Sequence, residues 1–176
     1  MKHNIDYAAY GPTEGRKFTA SILSGLPHDK ILDIGCGAGT YTRMFPRSSW
    51  TAIEIWEPYV ERHNLNSLYD EIIIADVRIV DFSKFSKFDV AIAGDVLEHM
   101  TADEALDVFN KLKSVANIVV ISMPVIYFPY KPVFGNPYQE HIVDDWNDKK
   151  IRKAFGEPTW GHVDGQTGVY IYRTGD

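Results

Sequence analysis

Three glycines at alternate positions, Gly35, Gly37 and Gly39, follow an apolar stretch that carries Asp33 near its end. Glycine tolerates positive φ angles and lets the backbone approach a ligand closely. Cys36 lies inside this loop, where its small side chain suits a position against a ligand better than a nucleophilic role. A loop of this kind at the carboxyl end of a strand is typical of a site that holds a nucleotide-like molecule.

A second apolar stretch ends at Glu54, fifteen residues beyond Gly39. An acidic side chain at the tip of a neighbouring strand can accept hydrogen bonds from both hydroxyls of a ribose. The loop and Glu54 together predict a site for an adenosine-containing cofactor. The alternatives are a tight strand-to-helix turn without a ligand for the glycines and a solvated carboxylate for Glu54.

The glycine spacing differs from the dinucleotide-binding pattern G-x-G-x-x-G, because Thr40 occupies the place of the third glycine. The observed Asp-x-Gly-x-Gly-x-Gly pattern resembles the first motif of the class I S-adenosylmethionine (SAM) dependent methyltransferases. The resemblance covers about residues 30–123 and continues with acidic residues after the next three apolar stretches, Glu54, Asp76 and Asp95. The chain is most similar to small single-domain members with a Glu-His pair after strand four.

This resemblance implies that the chain binds SAM and releases S-adenosylhomocysteine (SAH). The glycine loop would contact the methionine part of SAM, Asp33 would face the sulfonium, and Glu54 would bind the ribose. Asp76 would accept a hydrogen bond from the adenine amine, beside Val77 and Ile55. The predicted cofactor contacts are Asp33, Gly35, Cys36, Gly37, Gly39, Glu54, Ile55, Asp76, Val77 and Asp95.

Several of these residues have structural alternatives. Asp95 would lie close to the reacting methyl group, but it is equally suited to cap the helix that follows it. Asp76 is suited to cap a turn. Arg16 would pair with the SAM carboxylate or remain a surface charge, and Tyr7 and Tyr10 belong to a segment that folds over the cofactor in many relatives.

Methyl transfer to oxygen requires a general base within hydrogen-bond reach, and His141, His99 and Asp95 are the candidates. His141 comes first, because imidazole titrates near neutral pH. It belongs to the segment 135–146, which resembles short methyltransferases associated with sugar or surface-polysaccharide metabolism. The alternatives are a loop-anchoring role for this segment and a packing role for His99.

No metal ion is expected, because methyl transfer does not require one. Glu140, His141, Asp144 and Asp145 are ligand-type residues, but their spacing is not diagnostic of a metal site.

Apolar β-prone stretches alternate with helix-forming ones, which predicts an α/β domain with a doubly wound, Rossmann-like sheet. The family resemblance implies seven mostly parallel strands in the order 3-2-1-4-5-7-6, with strand 7 antiparallel. We expect one domain over residues 1–176, with an N-terminal segment and helix over 1–26 and a substrate-side loop over 123–143. The predicted helices are 13–26, 39–45, 58–68, 95–114 with a break near Thr101, and 144–155; the predicted strands are 30–34, 50–55, 71–75, 88–93, 117–122, 159–162 and 169–173.

The net charge is −6, from 18 basic and 24 acidic residues, and no cluster of Lys and Arg is present. This balance disfavours a nucleic-acid partner, whose phosphates would need a basic face. No apolar run is long enough to span a membrane and no signal peptide is recognisable, so we expect a cytoplasmic protein. The single cysteine excludes an intrachain disulfide.

The sequence therefore predicts transfer of a methyl group from SAM to a small polar acceptor, with a sugar or nucleotide sugar as one candidate. The alternatives are a methyltransferase that acts on a protein or RNA and a SAM-binding module without catalysis. The sequence leaves the oligomeric state open.

Overall fold

The computed structural model describes residues 13–132 and 135–175. Within these residues, strands and α-helices alternate along the chain. The segment that carries Tyr7 and Tyr10 lies outside the described residues, so the expectation for it remains an expectation. The elements are α1 (Thr13–Leu23), β1 (Lys30–Ile34), β2 (Ser49–Glu54), α2 (Pro58–Arg62), β3 (Glu71–Ile74), β4 (Phe88–Gly94), α3 (Ala102–Val115), β5 (Ala116–Pro124), α4 (Asp148–Phe155), β6 (Trp160–Asp164) and β7 (Thr167–Arg173).

The strands form one sheet in the order β3-β2-β1-β4-β5-β7-β6. The strands from β3 to β5 are parallel to their neighbours, whereas β7 is antiparallel to β5 and to β6. The predicted order and the antiparallel seventh strand are therefore confirmed. In the parallel part, Ile34 is level with Ile53 of β2 and with Ala93 of β4, so that these three strands end at the same edge.

Helices cover both faces of the sheet, as the continuous apolar strands predict. Side chains on one strand alternate between two cores, because successive residues point to opposite faces. In β1, Leu32 and Ile34 pack in the core that holds α3 and α4, whereas Ile31 packs in the core that holds α1 and the segment around Tyr59. The strands whose ends carry the acidic residues therefore lie between the two cores.

The predicted helix over 39–45 is wrong, since the chain forms a series of turns there. Gly37 and Gly39 adopt φ angles of +52° and +70°, which a right-handed helix cannot contain. The helix predicted over 58–68 is also shorter than expected. It ends at Arg62, and Asn64 then adopts a left-handed conformation with φ of +53°.

The predicted break near Thr101 is confirmed, and its cause is a capping box. The Thr101 hydroxyl accepts a hydrogen bond from the Glu104 backbone N–H, and the Glu104 carboxylate accepts one from the Thr101 backbone N–H. A short 3₁₀ turn, Leu97–His99, precedes this helix. The last helix also starts later than predicted, where the Asn147 side chain accepts a hydrogen bond from Lys150 N–H.

None of the helices in the described part of the chain combines the length and the apolar character that crossing a bilayer requires.

Candidate cofactor and acceptor site

A cavity of about 290 Å³ opens at the edge where the parallel strands end. Ligand sites of open α/β sheets lie at this edge. The glycine loop, the ends of β2, β3 and β4, and part of the loop after β5 form its walls. Of the residues predicted from the sequence, those on the wall are Asp33, Gly35, Cys36, Gly37, Glu54, Ile55, Asp76, Val77, Asp95 and His99, with Arg16 on the α1 side.

The glycine loop is fixed to the end of β2 and packed against the end of β4. Gly35 N–H donates to the Ile53 carbonyl at 2.8 Å, and Gly35 has a φ of +63°. A Cβ atom at this position would lie 2.6 Å from Cγ2 of Val96. The backbone therefore needs glycine here for its conformation and for its close packing. Gly39 does not line the cavity but turns the loop behind it.

Glu54 is 3% exposed, and backbone groups hold its carboxylate in place. One oxygen accepts a hydrogen bond from Gly37 N–H at 3.1 Å and the other accepts one from Trp56 N–H at 2.8 Å. The Cys36 thiol also points to the carboxylate, with 3.8 Å between Sγ and Oε2. Burial raises the pKa of Glu54, and the two backbone N–H donors oppose that shift. The loop and this carboxylate thus orient each other.

Asp33 is a second buried carboxylate, and the Tyr69 hydroxyl donates to it at 2.6 Å. Burial and the charge of Glu54 raise the pKa of Asp33 to about 7, while the Tyr69 hydrogen bond acts against burial. Burial also raises the pKa of the Cys36 thiol far above its ordinary range, so Cys36 stays neutral and cannot act as a nucleophile. Two acidic groups beside one cavity favour a cationic ligand.

The adenine side differs in part from the sequence prediction. Asp76 lines the cavity, but its carboxylate accepts hydrogen bonds from the backbone N–H of Arg78 at 2.9 Å and from its guanidinium at 2.6 to 3.0 Å. The same guanidinium reaches Glu104 at 2.8 Å. The Arg78 hydrogen bonds hold the pKa of Asp76 below its usual value. The turn-capping role of Asp76 is therefore present, and Arg78 belongs to the site as well.

Asp95 lies on the cavity wall directly after β4 and adopts a left-handed conformation with φ of +55°. Non-glycine residues rarely take this conformation, and those that do are concentrated at functional sites. Its backbone N–H donates to the Ser122 carbonyl at 2.8 Å. The helix-capping alternative for Asp95 is wrong, because the following 3₁₀ turn begins after Val96 and has no side-chain cap.

His99 lines the cavity, but the surroundings make it a weak base. Its Nδ1 lies 3.0 Å from the Glu140 carbonyl oxygen. Burial lowers the pKa of His99 to about 4, although the carbonyl oxygens of Glu140 and Asp95 favour the protonated ring. A histidine with such a pKa is neutral at physiological pH and accepts a proton poorly.

His141, the first candidate for the base, does not lie on the cavity wall. Its side chain is 6% exposed and packs beside Phe128 and Tyr130, with ring centroids 5.7 and 5.4 Å away. Its Nδ1 lies 2.7 Å from the Phe128 carbonyl oxygen. The geometry does not support the prediction that His141 takes the proton of the acceptor. The sequence could not show this, because the fold of the loop decides where the ring points.

The loop after β5 forms part of the cavity wall, although its role as a substrate-side loop stays a prediction. Asn136 is 2% exposed, and its side-chain oxygen accepts a hydrogen bond from Tyr138 N–H at 2.9 Å. The Tyr138 ring meets Trp56, which follows β2, at 6.2 Å in an edge-on contact. The loop therefore spans from β5 to the end of β2.

Two residues that the sequence did not single out shape the site, Tyr69 and Arg78. Tyr69 is 36 residues from Asp33, and only the pairing of β1, β2 and β3 brings the two together. Arg78 is a lone arginine in a loop, with no pattern to mark it. No motif-level signal exists for either residue.

Comparisons with known proteins agree with this architecture. Residues 31–117 match a family model described as a methyltransferase domain. No curated protein matches the chain at a significant level.

Several solved structures share the fold. The N-terminal domain of EvdMO1 with SAH bound is 15% identical over 96% of this chain and 84% of its own, with a TM-score of 0.69. An S-adenosylmethionine-dependent methyltransferase from Clostridium acetobutylicum is 14% identical over 98% and 94%, with a TM-score of 0.71. The PH0226 protein from Pyrococcus horikoshii is 14% identical over 90% and 87%, with a TM-score of 0.68.

We predict that Gly35→Ala abolishes most of the affinity for SAH and lowers the free energy of unfolding by about 1–3 kcal/mol. The reason is the 2.6 Å contact that the new methyl group would make with Val96 at a positive φ. Calorimetric titration and thermal melting measure the two effects. Gly25→Ala is the matched control, because a Cβ there meets its nearest neighbour, the Ile22 carbonyl oxygen, at an ordinary 3.6 Å. Equal SAH affinity in both variants would contradict the close-packing argument.

We predict that Glu54→Gln weakens SAH binding about 10- to 100-fold, the loss expected when charge-assisted hydrogen bonds to the ribose are removed. The glutamine amide also presents N–H donors toward the backbone donors of Gly37 and Trp56. Calorimetry measures the loss. Glu57→Gln is the control, since Glu57 is exposed and its side chain makes no capping hydrogen bond. An unchanged affinity in Glu54→Gln would remove this residue from the cofactor site.

Proposed function

We propose that this chain, whose residues 31–117 match a methyltransferase domain model, transfers a methyl group from SAM to a hydroxyl of a small polar acceptor. A sugar or a nucleotide sugar is the first candidate. The observation that carries the proposal is the shared cavity: buried Asp33 and Glu54 lie on one side, and Asp95 with residues of the loop after β5 lies on the other. We place the cofactor on the side of Asp33 and Glu54 and the acceptor at the β4 end.

In this proposal the acidic side of the cavity holds SAM. Glu54 binds the ribose hydroxyls, Asp33 lies near the sulfonium, and the glycine loop contacts the methionine part. Arg16 on the cavity wall is available to the SAM carboxylate. Ile55 and Val77 supply apolar surface to the adenine, and Asp76, held by Arg78, lies at its rim.

The reaction is an in-line displacement at the methyl carbon. The acceptor oxygen forms a bond to the methyl carbon while the bond from that carbon to sulfur breaks, and the electron pair of that bond stays on sulfur. The sulfonium becomes the neutral thioether of SAH, and the hydroxyl proton passes to a base. Because sulfonium is already a good leaving group, the protein acts mainly by alignment, which can lower the barrier by about 7–11 kcal/mol.

Asp95 is the candidate base that the geometry favours. It lies on the cavity wall beside the end of β4, whereas His141 does not line the wall and Nδ1 of His99 faces the Glu140 carbonyl. A carboxylate at this place can take the proton as the new bond forms.

A small polar acceptor is supported by the part of the cavity wall that the loop after β5 supplies. Asn136, Gln139 and Glu140 lie on this wall, and Tyr138 adds an aromatic ring to it. One similar solved structure, the N-terminal domain of EvdMO1, was obtained in the presence of SAH and D-fucose. The chain is acidic overall, which disfavours a nucleic-acid acceptor.

The test is an acceptor screen with radiolabelled SAM, in which wild type and Asp95→Asn are each offered a sugar and nucleotide-sugar library, a protein extract and an RNA extract. We expect label in the sugar fractions with wild type and a strong loss with Asp95→Asn. Label in protein or RNA alone would support the macromolecular alternative. SAM binding without transfer to any fraction would support the non-catalytic module.

The pKa of Asp33 predicts a pH dependence of cofactor binding. Because the cofactor-free pKa is about 7, Asp33 is largely protonated below that pH, and the sulfonium of SAM favours the ionised form. SAM affinity should therefore rise as the pH increases from 6 to 8. Below the pKa of Asp33, the rise is up to about tenfold per pH unit. SAH lacks the positive charge, so its affinity should change less.

Calorimetry with both ligands at several pH values measures this difference. The α-amino group is common to SAM and SAH, so its titration cancels in the comparison. Asp33→Asn should remove the difference in pH dependence between the two ligands. Parallel pH profiles in wild type would mean that Asp33 does not face the sulfonium.

A further inference from the structure

Glu98, His99 and His141 meet beside the cofactor cavity. One ligand-type atom of each lies within 4.8 Å of those of the other two. Between Glu98 Oε1 and His141 Nε2 the distance is 4.0 Å, which is too long for a hydrogen bond. Three ligands around one ion at about 2.1 Å lie about 3.4–3.6 Å apart, so atoms within 4.8 Å of one another must close by up to about 1.4 Å to share an ion.

The two histidines are oriented as metal ligands usually are. Nδ1 of His99 faces the Glu140 carbonyl at 3.0 Å, and Nδ1 of His141 faces the Phe128 carbonyl at 2.7 Å. A carbonyl oxygen only accepts, so in each neutral ring Nδ1 carries the hydrogen and Nε2 carries the lone pair.

Glu98 supplies an independent observation. It is 1% exposed, and within the described residues its Oε2 atom has no hydrogen-bond partner. A buried carboxyl oxygen without a hydrogen-bond partner is costly, and a cation removes that cost.

The backbone holds these side chains together. The Glu98 carbonyl accepts hydrogen bonds from Ile142 N–H at 2.9 Å and Val143 N–H at 3.2 Å. His141 N–H donates to the Tyr130 carbonyl at 3.0 Å. These bonds fasten the loop after β5 to the segment after β4, so that His141 is brought to Glu98 although 43 residues separate them.

We propose that Glu98, His99 and His141 bind a divalent first-row transition metal ion. Imidazole nitrogens with one carboxylate suit Zn²⁺, Mn²⁺ or Fe²⁺ better than Ca²⁺ or Mg²⁺, which prefer all-oxygen sites. The proposal replaces the sequence-based expectation of no metal. It also replaces the ligand-type residues that the sequence offered for a metal site, since Glu140 is exposed and Asp145 pairs with Lys150.

The site has a consequence for the reaction, and this step rests on the proposed function. Three protein ligands leave coordination positions open, and His99 and Asp95 place the ion at the acceptor end of the cavity. An acceptor oxygen bound there would be held in place for attack and would lose its proton more readily, to Asp95. Acceptors with two neighbouring hydroxyls, which can bind an ion through both, would be favoured.

The full chain is treated with a chelator, and MnCl₂ and ZnCl₂ are then titrated into it in separate calorimetric experiments. We expect one ion per chain, and at least a tenfold loss of affinity in His141→Ala and in Glu98→Gln. His162→Ala is the matched control, because His162 is exposed on β6 and stacks on Phe18 instead. It should bind as wild type does.

SAH titration of each variant separates this proposal from the proposed function. His141 does not line the cofactor cavity, so His141→Ala should keep the SAH affinity of wild type and thereby show that it folds. Failure of wild type to bind either ion, or equal binding by wild type, His141→Ala and Glu98→Gln, would overturn the metal site even where SAH binds. A bridging water would then be the simpler occupant.

Discussion

The parallel register of β1, β2 and β4 is the constraint on which the rest of the structure depends. It makes the three strands end together, and the hydrogen bond from Gly35 N–H to the Ile53 carbonyl continues that register into the glycine loop. The acidic residues at the strand ends therefore lie together at one edge of the sheet. A shift of one residue would turn Asp33 and Glu54 to the opposite faces of the sheet.

Concentrating buried carboxylates at one edge carries an electrostatic cost, and the structure shows how that cost is limited. Backbone N–H groups of Gly37 and Trp56 offset it at Glu54, and the Tyr69 hydroxyl offsets it at Asp33. The remaining cost appears as the raised pKa of both groups. A cationic cofactor relieves it, so the same feature that destabilises the empty site favours binding.

The sequence predicts the strands well, because buried parallel strands are continuous apolar stretches and the strand-end acids follow them directly, and the family resemblance implies their order. The sequence prediction fails where the backbone conformation or a contact with a distant residue determines the local structure. Gly37 and Gly39 turn the chain where a helix was predicted, and the pairing of Asp76 with Arg78 follows from a turn. His141 has the chemistry of a base, yet the loop directs it to Glu98. No local pattern reports such long-range contacts.

We infer that Glu54 holds the ribose of SAM and the glycine loop contacts its methionine part, while the end of β4 faces the methyl acceptor. A crystal structure of the chain with SAH tests it most directly. The account predicts the ribose hydroxyls on the Glu54 carboxylate and the sulfur between Asp33 and Asp95. SAH bound elsewhere, or bound with its ribose away from Glu54, would contradict it.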